Sequence, residues 1–377
     1  MGASIAKKKL FLIVGTRPEV IKMASLAFQL RQQTNIEWRL CSTGQHRSML
    51  DETLADLGLT ADIDLRVMDD ASGLTDVTAL TLQRLAPVLA DYAPGYVVVQ
   101  GDTTTAMCGA LAAFYQRIPV AHVEAGLRTG NLYSPWPEEA NRKIISAIAT
   151  KHFPPTQQSR SNLLAEGIPD AGITVTGNTV IDTLVHTHAA IQTDATLSAR
   201  LSERFNWLNP SKRLILVTGH RRENFGEGFA QICQALKTLA NRGDVEIVYP
   251  VHLNPQVRKP VHEILGNHPA IHLIEPQNYS AFVYLMSRAF LILTDSGGIQ
   301  EEAPSLGKPV LVLRDTSERP EAIAAGTAKL VGTNTATIVA HANTLLDDPL
   351  AFAAMSRINN PYGDGQASRR ILEVLTA

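Results

Sequence analysis

The stretch LFLIVGTRPEVIKMASLAFQLRQQ, Leu10 to Gln33, sets two patterns side by side. Leu10–Val14 is an unbroken apolar run, which suits a short strand covered on both faces. After Gly15-Thr16 the pattern becomes amphipathic and runs long enough for a helix. The same pairing recurs along the chain. WRLCSTG (38–44), GYVVVQGD (95–102), VAHVEAG (120–126) and ITVTGN (173–178) read as strands in the first half. RLILVTGH (213–220), VEIVYPVH (245–252), IHLIEP (271–276), FLILTDSGG (290–298), PVLVLRD (309–315) and AKLVGTN (328–334) read as strands in the second. TTAMCGALAAFYQR and GFAQICQALKTLA are among the helical segments between them. Continuous apolar strands alternating with helices predict an α/β protein built on parallel sheets with both faces covered.

At 377 residues the chain is long enough for two domains at ~150 residues each. A boundary is expected after the helix-like NTVIDTLVHTHAAIQ, because residues 193–211 are polar and carry no strand signal. The expected division is a first domain over 1–190, a second over 191–360, and a C-terminal helix over 361–377. Hydrophobic residues make up 45% and charged residues 19%, an ordinary globular balance. A net charge of −2 does not favour nucleic acid or an anionic membrane as a partner. An anionic ligand must then be held by local cations. Cys41, Cys108 and Cys233 are far apart and odd in number, so they are read as buried thiols. No signal-type segment and no apolar span of ~20 residues is visible, which makes a cytoplasmic protein the expectation.

In open parallel sheets, ligands collect at the carboxyl ends of the strands. Those ends here carry GTRPEVIK, QGDTTT, HVEAGLR, TGHRREN, YPVHLNP and TDSGGIQEE. In DSGGIQEE a strand stops at Asp295 and a helix begins near Gly297-Gly298, so free N–H groups would face an anion there. Ser296 can add a hydroxyl, and Glu302 stands about one turn further on, suited to ribose hydroxyls. Arg319 follows at another strand-end loop, which tilts the reading from an ordinary helix start towards a nucleotide diphosphate. Arg17 and Lys22 fall in the first turns of a helix, where cations oppose the macrodipole unless an anion sits between them. No GxGxxG follows the first strand, and Gly226-Glu-Gly228 is in the wrong context, so a nicotinamide cofactor is not expected. Asp62-Ile-Asp64 is a single aspartate pair with no further metal-ligand pattern, and no metal is expected either. His220 closes an apolar strand beside Arg221 and Arg222, a position suited to phosphate contact.

Taken together, GTRPEVIKMA, QGDTTT, HVEAGLRTGNLYSPWPEEANR, GNTVID, TGHRREN, YPVHLNP and DSGGIQEEAPSLGKPVLVLRDTSERPEA resemble the bacterial non-hydrolysing UDP-N-acetylglucosamine 2-epimerases. The blocks occur in the family's order from Gly15 to Ala322. The resemblance implies two Rossmann-like domains facing across a cleft, as in GT-B glycosyltransferases, with the C-terminal helix crossing back to the first domain. It also implies a homodimer that interconverts UDP-GlcNAc and UDP-ManNAc without cofactor or metal, supplying surface or cell-wall polysaccharide. Carried over by motif, Asp102, Glu124 and Glu138 are acid/base candidates, and His220 is suited to the departing UDP. Arg17, Lys22, Gln277, Phe282, Ser296, Gly297, Gly298, Glu302 and Arg319 map to nucleotide or phosphate contacts, and Arg142 is expected to orient Glu138. Glu139 is expected to face solvent or an arginine, and Asp102 has a second reading as the cap of the helix starting near Thr103–Thr105. In the family, activation by a second substrate molecule uses the block that here reads TGQHRSML, with Gln45 and His46 present and Ser48 where a larger polar residue is common. Alternatives that share the blocks in part are a hydrolysing 2-epimerase, an epimerase of a modified UDP sugar, a GT-B glycosyltransferase and a non-catalytic sugar-nucleotide sensor.

Overall fold

The computed structural model describes residues 7–44, 47–357 and 359–377. The chain divides into two compact units, Met1–Thr183 with Tyr362–Ala377, and Leu184–Pro361.

The first unit holds strands β1 (Lys8–Val14), β2 (Ile36–Ser42), β3 (Ile63–Asp64), β4 (Tyr96–Gln100), β5 (Val120–Val123) and β6 (Lys151–Phe153). They form one parallel sheet in the order β3-β2-β1-β4-β5-β6. Helices α1 (Arg17–Leu30), α2 (Arg47–Asp56), α3 (Leu74–Tyr92), α4 (Thr104–Tyr115), α5 (Glu138–Ile148) and α6 (Gln157–Ala165) accompany them, and α7 (Thr179–Thr193) begins in this unit and carries the chain into the second. The run Leu10–Val14 is entirely buried, because its residues face helices on both sides of the sheet. Leu10, Leu12 and Val14 pack with Val20, Met23 and Leu30 of α1, whereas Phe11 and Ile13 pack with Leu85, Leu89 and Ala110 on the other face.

The second unit repeats this plan with β7 (Arg213–Thr218), β8 (Val245–Pro250), β9 (Ile271–Ile274), β10 (Leu291–Thr294), β11 (Val310–Val312) and β12 (Ala328–Leu330). Its order is β12-β11-β10-β7-β8-β9, the same topology with the numbering advanced by six. Its helices are α8 (Ala195–Arg204), α9 (Glu227–Ala240), α10 (Pro255–Leu265), α11 (Tyr279–Arg288), α12 (Gly297–Glu302), α13 (Pro320–Ala325), α14 (Thr335–Asp347) and α15 (Pro349–Ser356). The chain closes on α16 (Ala367–Thr376), which belongs to the first unit. Asp182 accepts the backbone N–H groups of Ala367 and Ser368 at 3.1 and 2.7 Å, satisfying the free donors at the start of α16. Ile371, Leu372 and Leu375 then join the core beneath α1. No helix among the described residues is long and apolar enough to cross a membrane.

Two expectations about elements need correction. ITVTGN forms no strand beyond one bridge between Ile173 and His152, although the Thr174 and Thr176 N–H groups also donate to the His152 and Pro154 carbonyl oxygens at 2.9 and 3.1 Å. The helix N-cap after β4 is Thr103, whose hydroxyl accepts the Ala106 N–H at 3.0 Å, so Asp102 is left for other contacts. All three cysteines are buried free thiols.

A topology of this kind reverses its winding between β1 and β4, and between β7 and β10. The crevice outside those strand ends is where such sheets bind ligands. Gly126, just past the end of β5, shows how tightly the neighbouring turn is built. Its φ is +88°, and a Cβ there would lie 2.2 Å from the Ser159 carbonyl oxygen.

His122 on β5 and His152 on β6 are register partners inside this sheet. His122 Nε2 lies 2.7 Å from the Gly101 carbonyl oxygen, which makes it the protonated nitrogen of a neutral ring. Burial drives its pKa down to about 3 and that of His152 to about 4. In the unfolded chain both rings take up a proton near pH 6.5, while the folded chain resists until far lower pH. Their contribution to stability is therefore complete above about pH 6.5 and lost as pH falls through the folded values. Thermal melts between pH 8 and pH 4 are expected to show a decline beginning near pH 6.5. His122→Leu and His152→Leu are each expected to flatten that decline; an unchanged slope in both would show that other groups set it.

Candidate functional site

In the first unit, the site residues gather at the ends of β1, β4 and β5 and at the start of α5. Glu124 follows β5 with φ 61°, a conformation that a non-glycine residue adopts at a cost. That backbone turns its carboxylate into the crevice beside Lys22 of α1, whose Nζ donates to Oε1 at 2.7 Å. Gln100 Nε2 donates to Oε2, and Asn178 Nδ2 approaches Oε1 at 3.4 Å. The Glu124 side chain is 4% exposed, so the ion pair is largely desolvated. The structure thus joins Lys22 and Glu124 directly, although the sequence motifs place them 102 residues apart.

Asp102, after β4, pairs with Arg142 of α5, which donates from Nε at 2.9 Å and from Nη2 at 2.5 Å. Asn141 Nδ2 donates to the Asp102 carbonyl oxygen at 2.8 Å, so α5 holds the turn by side chain and backbone together. Burial would lower the Arg142 pKa, but Asp102 and Glu139 raise it, and the guanidinium is firmly charged.

Arg142 does not orient Glu138. Its third contact, Nη1 at 3.1 Å, goes to Glu139. Glu139 is fully buried and also accepts the Thr129 and Gly130 N–H groups at 3.1 Å each. The expectation of a solvent-facing Glu139 is therefore corrected, while its arginine partner is present. Glu139 is the structural member of the pair, because its buried carboxylate is held by Arg142 and two backbone N–H groups. Glu138 is half-buried, and its Oε2 is shielded from solvent with no hydrogen-bond partner among the described residues. A buried carboxyl oxygen in that state costs free energy unless something arrives to use it. Arg17 is the first residue of α1, one position past the Thr16 N-cap.

In the second unit, the ends of β7 and β10 meet through Asp295. Its Oδ2 accepts the His220 and Arg221 N–H groups at 2.9 and 2.8 Å, and Asn224 Nδ2 at 3.3 Å. Its Oδ1 lies 3.4 Å from His220 Nδ1, long for a hydrogen bond but close for a charge. The His220 ring stacks on His252 with centroids 5.6 Å apart. Burial lowers the His220 pKa, opposed by Asp295 and reinforced by Arg221 and His252.

The turn at Ser296–Gly298 is lined by guanidinium groups. A Cβ on Gly297 would stand 3.7 Å from Arg319 Cζ and 3.9 Å from Arg221 Nη2. Arg319 is held by Glu301 through its Nε, and Ser317 bridges its backbone N–H at 3.0 Å. Glu302 accepts the Tyr279 hydroxyl at 2.9 Å, which fixes the carboxylate next to Gly298. Gln277 is buried just ahead of α11, and Phe282 lies half-buried on that helix. These residues form a backbone-rich, cationic turn with an aromatic neighbour, a chemistry suited to a nucleoside diphosphate.

Several residues that build the site are absent from the motif reading. Gln100 and Asn178 hold Glu124, Asp295 holds His220, Glu301 holds Arg319, and Glu19 sits buried beneath the β1–α1 turn. Only Glu19 carried a local signal, the Thr16-x-x-Glu19 spacing of a capping box. Asp62 and Asp64 prove to be backbone acceptors, for Leu40 N–H at 2.7 Å and Arg66 N–H at 3.1 Å. Among the described residues no three His, Cys, Asp or Glu side chains converge as metal ligands do. Gln45 and His46 lie outside the described residues.

A family model described as UDP-N-acetylglucosamine 2-epimerase matches residues 28–376. The chain belongs to this family. Its members are isomerases. The UDP-N-acetylglucosamine 2-epimerase of Salmonella typhimurium is 57% identical over 368 residues, covering 97% of this chain and 98% of that protein. A crystal structure of the Neisseria meningitidis UDP-GlcNAc 2-epimerase bound to UDP-GlcNAc superposes with a TM-score of 0.89 at 49% identity, covering 98% of this chain and 99% of that one. The Methanocaldococcus jannaschii enzyme in complex with UDP-GlcNAc and UDP gives a TM-score of 0.79 at 34% identity, covering 98% of this chain and 99% of that one.

Proposed function

We propose that this chain is a non-hydrolysing epimerase that inverts C2 of UDP-GlcNAc to give UDP-ManNAc, and the reverse. The observation that carries the reading is the full-length similarity to enzymes named for UDP-GlcNAc, one of them bound to it. The C2–H of an N-acetyl sugar is not acidic, so direct deprotonation is too costly. Elimination avoids that cost: a base takes the C2 proton while the C1–O bond breaks and its electron pair leaves with UDP. The products of that step are a glycal-type sugar and UDP. UDP adds back to C1 as C2 receives a proton on the opposite face.

Two demands follow, one for proton handling and one for a departing diphosphate. In this reading Asp102, Glu124 and Glu138 form the proton-handling set. Glu138 offers a buried oxygen with no hydrogen-bond partner among the described residues, and Asp102 is partly exposed beside Arg142. His220, Arg221, Ser296–Gly298 and Arg319 serve the diphosphate, Glu302 the ribose and Gln277 with Phe282 the base. Arg17 and Lys22 add positive charge at the first unit's crevice. No nicotinamide and no metal are assigned a step. The proposed setting is a cytoplasmic homodimer supplying ManNAc units for a surface or cell-wall polysaccharide.

Incubation with UDP-GlcNAc in D₂O, followed by NMR at C1 and C2, tests the reading. The expected result is deuterium at C2 together with UDP-ManNAc. Free ManNAc plus UDP would indicate the hydrolysing reaction instead. Unchanged protium at C2 would sink the epimerase reading.

A further inference from the structure

Glu19 is a buried ionisable group that the mechanism above leaves unused. It is completely buried and accepts from donors on two separate turns. Its Oε2 takes Gly15 N–H at 2.9 Å, Thr16 N–H at 2.8 Å and the Thr16 hydroxyl at 2.9 Å. Its Oε1 takes the Thr103 hydroxyl at 2.5 Å, from the turn after β4. A capping box needs only the bond back to the N-cap backbone. The bond to Thr103 goes beyond capping, since it ties α1 to a turn 84 residues away.

We infer that Glu19 is a positioning residue for the epimerisation: its ionised carboxylate cross-links the β1–α1 and β4–α4 turns and so holds Lys22 and Asp102 at their working separation. The inference rests on the function proposed above. Thr103 directly follows Asp102, and Lys22 lies one turn beyond Glu19 on the same helix, so the cross-link acts on both. The surroundings leave the turns little slack. A Cβ on Gly15 would fall 2.1 Å from Thr105 Oγ1 and 2.3 Å from Thr43 Oγ1, and those two hydroxyls bond each other at 2.9 Å. The charged side chains on the elements that meet here are Arg17 and Lys22 on α1, Asp102 after β4 and Glu124 after β5. The turn after β2 contributes Thr43.

Two backbone N–H groups, which can only donate, and two hydroxyls converge on Glu19, an arrangement that favours the carboxylate and is weakened by a proton. Burial raises its pKa to about 7, against the lowering pull of Thr103, Gly15 and Thr16. A carboxylate with a raised pKa is ionised above that value and protonated below it. The cross-link is therefore strongest in alkaline solution and weakens as pH falls through about 7.

The test is the pH dependence of kcat/KM for UDP-GlcNAc epimerisation in the wild type and three variants. The wild type is expected to show an acid limb near neutrality. Glu19→Gln is expected to lose roughly 10–100-fold at pH 8, and to lack that limb. Thr103→Val removes the bond that lowers the Glu19 pKa, so its limb moves to higher pH. Thr103→Ser keeps the hydroxyl and keeps the wild-type limb. An acid limb that persists in Glu19→Gln, or that stays in place in Thr103→Val, overturns the inference. Should Glu19→Gln fail to fold by circular dichroism, the Thr103→Val and Thr103→Ser pair decides alone. A wild type with no turnover at any pH overturns the proposed function, and this inference with it.

Discussion

Glu138→Gln is expected to lower kcat by roughly 10²–10⁴-fold, the range over which a positioned acid or base acts, with UDP affinity nearly unchanged. The argument rests on what surrounds the carboxyl. Glu124 is already engaged by Lys22, Gln100 and Asn178, and Glu139 by Arg142 and two backbone N–H groups. Glu138 alone of the three in its stretch keeps an oxygen buried with no hydrogen-bond partner among the described residues. Glutamine preserves the shape and removes the carboxyl that can take up and release a proton. Because UDP is proposed to be held by the second unit, the nucleotide should bind Glu138→Gln and the wild type alike. Turnover by NMR and UDP binding by calorimetry separate the outcomes. A kcat within tenfold of wild type would remove Glu138 from the proton-handling set. A lost UDP affinity would recast it as a binding group.

Much of the fold was legible in the sequence because a strand buried on both faces must be apolar throughout. In the second unit β10 and β11 are such runs, and β7, β8, β9 and β12 keep enough apolar residues around Arg213, Glu246, His272 and Lys329 to be read as strands. The same rule fails where strands are too short to show it. Ile63–Asp64 and Lys151–Phe153 pair at sheet edges through two or three residues, and charged or polar side chains interrupt them. ITVTGN errs the other way, since its β-branched residues find no neighbouring strand beyond the bridge at Ile173. Local composition records propensity, but a ladder needs a partner.

The site divides along the same line. Which residues stand at strand ends could be read from the motifs, since the end of an apolar run is a local feature. Which residue pairs with which could not. Arg142 is four positions from Glu138 and three from Glu139, and both spacings suit a helical ion pair. Asp102, 40 residues earlier in the chain, occupies Nε and Nη2, and the remaining Nη1 faces Glu139. Likewise the Thr16–Glu19 spacing signals a helix cap, while the reach to Thr103 exists only once β4 lies beside β1.

Arg142→Met should therefore separate two effects that one side chain combines. Glu139 is fully buried, so removing its guanidinium partner leaves a desolvated charge with only two backbone donors. Loss of one partner of such a pair costs about 3–5 kcal/mol, and urea denaturation should show a loss of that order. Methionine fills much the same volume, so a cavity contributes little to the result. Asp102 is 27% exposed, and its share of the pair adds little stability because water screens it. What Asp102 loses is orientation, expected as a fall in kcat of roughly 10²-fold. Adding Glu139→Gln to Arg142→Met is then expected to restore much of the stability and none of the turnover, a non-additive result of the kind found between groups in contact. Recovery of turnover in the double variant would mean that Glu139, and not Asp102, is the carboxylate through which Arg142 acts.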